Sequence, residues 1–94
     1  MPSTYKVAHI QSPGSSLIIV PFDNNFQYHS PQEQNNTIRI LQDAANKNGT
    51  IGKVVAVWEN EGAFRFMAPP EFHKFLKGID MRYVMINITG TLHI

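Results

Sequence analysis

Residues 4–11, TYKVAHIQ, alternate, with Tyr5, Val7, His9 and Gln11 on one side and Thr4, Lys6, Ala8 and Ile10 on the other. A period of two belongs to a strand, and polar residues on both sides suit an outer one. SPGS, at 12–15, turns the chain. Leu17, Ile18, Ile19 and Val20 then form an unbroken apolar run, which predicts a central strand with neighbours on both faces. Pro21 ends it, because proline has no N–H to give to a ladder. Residues 50–59, TIGKVVAVWE, predict a second interior strand, since Val54 to Trp58 leave no polar side.

Between these strands the period changes. Ser30 precedes Pro31 and stands three residues before Glu33. That spacing predicts a helix start, with a hydroxyl cap, proline at the first helical position and a carboxylate reaching back. The helix should run to about Lys47, burying Ile38, Leu41, Ala45 and partly Ile40 and Ala44, with Gly49 supplying a left-handed stop. NEG at 60–62 predicts a hairpin turn into GAFRFMA, where Phe64 and Phe66 share one face and Ala63, Arg65 and Met67 the other. Pro69 and Pro70 open a second, short helix with Phe72, Phe75, Leu76 and Ile79 along one stripe. The last stretch, RYVMINITGTLHI, alternates over about a dozen residues and predicts a long amphipathic strand. Val84, Ile86, Ile88, Leu92 and Ile94 take its one face, and Tyr83, Met85, Asn87, Thr89, Thr91 and His93 the other.

The order is β-β-α-β-β-α-β, that of a two-layer α+β sandwich with a mainly antiparallel or mixed five-stranded sheet and two helices. A ferredoxin-like variant, from the second strand onward, is the nearest common architecture. It leaves the first strand without a place beside the second, so that strand pairs elsewhere or the sheet order differs. With 94 residues, 43% hydrophobic and 16% charged, the chain makes one folded domain over 1–94 and no more.

A formal charge of +1 argues against binding nucleic acid by neutralising many phosphates. The absence of cysteine removes disulfides, thiolate catalysis and Cys-based zinc sites, and suits a reducing compartment. MPSTYKVAHI has no basic segment followed by an apolar stretch, and no run approaches the roughly 20 residues of a membrane span. The expectation is a cytoplasmic protein without a membrane partner, in which the N-x-[ST] triplets at Asn35, Asn48 and Asn87 are coincidental.

Candidate chemistry is sparse. His9, His29, His73 and His93 have no helical ligand spacing and no cysteine beside them, so neither a metal nor another cofactor is expected. FDNNFQYHS, at 22–30, offers Asp23 and His29 as an acid/base pair at the exit of a central strand, the basis of an alternative reading as a small hydrolase or isomerase with His9 or Arg65 contacting substrate. No nucleophile elbow, glycine-rich phosphate loop or H-E-x-x-H accompanies the pair. Turn formation by Asp23, Asn24 and Asn25 ahead of the helix explains the stretch better. A third reading, single-stranded nucleic-acid binding through Phe64, Arg65 and Phe66, is weakened by spacing one residue off the RNA-recognition pattern and by the lack of an aromatic in LIIV.

The leading expectation comes from counting faces. LIIV and VVAVW are apolar on both sides, and two helices on one face would leave the other to a partner. A non-catalytic binding domain follows, either a homodimer through the open face or a strand edge, or a binder of a protein or small molecule. Phe64, Arg65, Phe66, Tyr83 and Met85 are its candidate contact residues.

Overall fold

A computed structural model describes residues 4–12 and 15–93. Over those residues the strands are β1 (Thr4–Ser12), β2 (Ser15–Pro21), β3 (Lys53–Asn60), β4 (Ala63–Met67) and β5 (Ile88–His93). They form one mixed sheet in the order β4-β3-β2-β1-β5. β2 and β3 are parallel, because a helix carries the chain back between them, and the other neighbours are antiparallel. The expected turn at Pro13 and Gly14, and Ile94, lie outside the described residues.

The crossover helix is α1 (Pro31–Lys47). Ser30 caps it as its spacing predicts: the hydroxyl oxygen accepts from the Glu33 amide at 3.1 Å and donates to the Glu33 carboxylate at 3.3 Å. Gly49, at φ 75°, ends it in the left-handed region. After β4, a 3-10 turn (Pro70–Phe72) leads into α2 (His73–Lys77), and α3 (Met81–Ile86) follows. The β3–β4 hairpin closes with only Glu61 and Gly62 in its loop, at φ 52° and 79°. Two positive values are what a type I′ turn requires to match the twist of its strands.

The expected two-layer arrangement is corrected by the placement of the helices. α1 lies on one face, where Leu41 and Ala45 pack with Val7, Ile18, Val20, Val54 and Leu92. Phe72, Leu76 and Val84, from the 3-10 turn, α2 and α3, lie on the other face with Ala8, Ile10, Leu17, Ile19, Val55 and Val57. Alternation along β2 and β3 assigns odd and even positions to opposite sides, so the sheet is the middle of three layers. The residues from Leu17 to Val20 and from Val54 to Val57 are each at most 1% exposed. The expected open apolar face is therefore absent among the described residues; the chain's own helices cover both sides of LIIV and VVAVW.

The ferredoxin-like expectation is also overturned. That arrangement would separate β2 from β1, whereas β2 sits between β1 and β3. β1 is internal too, between β2 and β5, and not the outer strand its mixed pattern suggested. Its exposed Thr4 and Lys6 lie at the end of the strand, beyond the part over which α2 and α3 pack.

The long final strand is a third correction. Residues 81–86 are helical and only Ile88–His93 pair as a strand. Asp80 decides this: its carboxylate accepts from the Tyr83 amide at 2.9 Å and so caps α3. Across the β1–β5 seam, Ala8 faces Ile88 while Val7 faces Gly90, so Thr89 is an extra residue and forms a bulge.

Candidate functional site

The polar stretch 22–30 builds local structure. Residues Asn24–Tyr28 form a 3-10 turn, and the Asp23 carboxylate accepts from the Asn25 amide at 3.0 Å as its cap. The turn drops Phe26 into the α1 side of the sheet, where its ring stacks on Phe22 at 4.2 Å and meets the Trp58 edge at 5.0 Å. Gln27 accepts from the Trp58 indole N–H at 2.8 Å, and buried Gln34 of α1 donates to the Phe26 carbonyl at 2.7 Å. Phe22 and Phe26 thus extend the core while Tyr28 stays exposed, and Asp23 satisfies the backbone of the turn that carries them.

Asp23 and His29 both line one shallow depression beside Tyr5, Phe22 and Phe26. His29 lies against the Phe26 ring, with ring centres 5.5 Å apart. His9 is not part of that group. Its Nε2 bonds the Ile51 carbonyl at 2.7 Å, and it sits four residues along β1 from Tyr5, about 13 Å at the usual rise of a strand. Arg65 lies on β4, the edge of the sheet away from β1. Among the described residues no three His, Asp or Glu side chains converge as a metal site requires.

The aromatic residues of β4 turn inward. Phe64 and Phe66 pack against the core on the α2–α3 side, Phe66 meeting the His73 ring edge-on at 5.1 Å. Arg65 points to the opposite face by alternation. The three residues therefore do not share a stacking platform. Tyr83 and Met85, expected on a strand, belong to α3. Tyr83 lies against Phe75, ring centres 6.4 Å apart. Met85 is half exposed and, with Met81, borders an open cleft at the far end of β2 and β3 where Lys6, Asp23, Glu59 and Glu61 gather.

What sequence reasoning missed is the flank of α1. Its core stripe is Gln34, Ile38, Leu41 and Ala45. A second stripe, Ile40, Asp43, Ala44 and Lys47, at i, i+3, i+4, i+7 spacing, lines a groove of about 550 Å³ together with Thr91, Leu92 and His93 of β5. The sequence carried a signal for it, because Ile40 lies off the core stripe and extends the apolar arc of the helix to one side. Among the described residues β5 is an edge strand, so this groove runs beside a backbone that has a neighbour on one side only. Gly90, the next residue along β5, leaves its own surroundings open; among the described residues a Cβ built on it would meet nothing within 4 Å.

No family model, curated protein or solved structure matches the chain. Among the described residues no helix is long and apolar enough to cross a membrane.

Proposed function

We propose that the chain is a binding domain without chemistry of its own, which joins a second copy of itself by strand addition along the β5 edge. The observation that carries this reading is the groove between α1 and β5. With both sheet faces covered, the strand edges are where backbone donors and acceptors remain open to a further strand. The two edges differ. β4 carries Arg65 at its centre and is followed by Pro69 and Pro70, features that discourage edge pairing. β5 reads Ile-Thr-Gly-Thr-Leu-His, without a lysine, arginine or carboxylate along its length.

A second copy suits this edge electrostatically. The formal charge is only +1, so copies repel one another weakly. The α1 flank presents an acid, Asp43, and a base, Lys47, on the same side. In a two-fold pair of α1 flanks, each acid can face the other copy's base, which is the self-complementarity an isologous interface needs.

Sedimentation equilibrium from about 1 to about 500 µM, the range in which interfaces of modest strength dissociate, tests the reading. The expected result is a mass rising from 10.6 kDa toward twice that value. Thr91→Lys, an exposed substitution on β5, should hold the protein at the lower mass while its circular dichroism stays unchanged. A wild-type protein of 10.6 kDa at every concentration overturns the reading.

A further inference from the structure

We infer that the two copies meet in one register, antiparallel and centred on Thr91. This inference rests on the β5 strand-addition reading and adds to it which residues face one another. Thr89 forms the bulge in the β1–β5 seam, and its hydroxyl accepts from the His9 amide at 3.3 Å. The extra residue bends the strand and interrupts regular pairing on either side of it. The regular stretch of β5 available to a neighbour is therefore Gly90 to His93.

Within that stretch, the side chains sort by face. Leu92 points to α1 and is buried there, opposite Tyr5 in the sheet; Gly90 follows on the same side, opposite Val7. Thr91 and His93 point to the other side, beside Lys6 and Thr4, where they are exposed. An antiparallel pair centred on Thr91 places Thr91 against its own copy and each Gly90 against the other copy's Leu92. Threonine directly opposite threonine is a favourable cross-strand pair. Small opposite large fits on the α1 side, because no atom of the described residues stands within 4 Å of a Cβ at Gly90 and Leu92 is the bulkiest residue of the stretch.

The alternatives are poorer. A pair centred on Gly90 sets two residues without side chains against each other at the axis and brings the Thr89 bulge next to it, whereas in the Thr91-centred pair Thr89 falls at the margin, opposite His93. A pair centred on Leu92 brings the two leucines together and moves Gly90 to the margin, where its space is unused. In the Thr91-centred pair the axis is perpendicular to the sheet. Both α1 helices then lie on one side of a continuous ten-stranded sheet, twice the five strands of each copy, and run antiparallel. Ile40, the exposed apolar member of the groove stripe, is covered from across the axis.

Two measurements read the register separately from association. The chain has no cysteine, so Thr91→Cys and His93→Cys each introduce a single thiol. Under a mild oxidant Thr91→Cys should form a disulfide-linked dimer, and His93→Cys should not, because its symmetry mate lies four residues away along the pair. Thr91→Lys and Thr91→Glu should each weaken self-association by roughly tenfold or more, since like charges then meet at the axis. An equimolar mixture of the two should associate again as a heterodimer. If the wild type dimerises but His93→Cys links and Thr91→Cys does not, or the Lys/Glu mixture stays monomeric, the register is overturned and strand addition is left standing. A monomeric wild type removes both.

Discussion

Gln42 holds Val54 as a neighbouring strand would: its side-chain carbonyl accepts from the Val54 amide at 2.8 Å. The same side chain donates to the Gly52 carbonyl at 3.0 Å, so one residue of α1 secures both ends of the approach to β3. Helix and parallel strand are therefore tied together where the crossover closes. Gln42→Ala leaves both backbone groups partly buried without these partners. The expected loss is about 1–3 kcal/mol of unfolding free energy, measured by urea titration.

Gly52 sits in the same segment at φ 145°, where a Cβ would stand 3.1 Å from Ile18 Cγ1 and 3.2 Å from the Ser16 carbonyl oxygen. Gly52→Ala meets both an unfavourable backbone region and a close approach to β2. Thermal unfolding should show destabilisation of about 1–3 kcal/mol. A neutral result would mean that the segment can take another path.

Glu61 offers the opposite change. It holds φ 52° in the two-residue hairpin loop, a conformation that asparagine tolerates better than glutamate. Glu61→Asn should stabilise the protein by about 0.5–1 kcal/mol in chemical denaturation, with no change of fold.

Asp80→Ala removes the side-chain acceptor that caps α3. The expected cost is about 1 kcal/mol, and Asp80→Asn should recover most of it, because the amide oxygen also accepts. Amide exchange at Tyr83 should quicken in the alanine variant and not in the asparagine one.

The same aspartate explains where pattern reading failed. Residues 82–94 alternate well enough for a strand, and Tyr83, Val84 and Ile86 favour one by propensity. A single capping bond to the Tyr83 amide, followed by burial of Val84 against β2 and β3, outweighs that preference over six residues. The helix start at Ser30 was legible because cap, proline and carboxylate agreed, with no competing period in the sequence after them. The two interior strands were legible as buried on both faces. Their burial did not reveal whether the cover came from a partner or from α2 and α3, since an apolar run reads the same under either.

The candidate site was less legible. Asp23 and His29 line one depression, but Asp23 caps a 3-10 turn that no periodicity marked. Ile40 marked the α1 flank in the sequence, but the groove it lines exists only because β5 lies at the sheet edge. Strand order depends on pairings between distant segments, and the alternation within one strand carries no information about its neighbour.

The seam between β1 and β5 sets Thr4 opposite His93, two residues 89 positions apart, with their side chains 3.0 Å from each other. Hairpins such as β3–β4 can zip locally, whereas this pairing must close a loop spanning nearly the whole polypeptide. Its entropic cost falls before any reward from contact, which makes the docking of β5 a slow, late event in folding. Until it happens β1 is itself a bare edge, so a freshly unfolded population refolded at high concentration is exposed to capture of β1 by another molecule's β5, a domain-swapped product of the same seam.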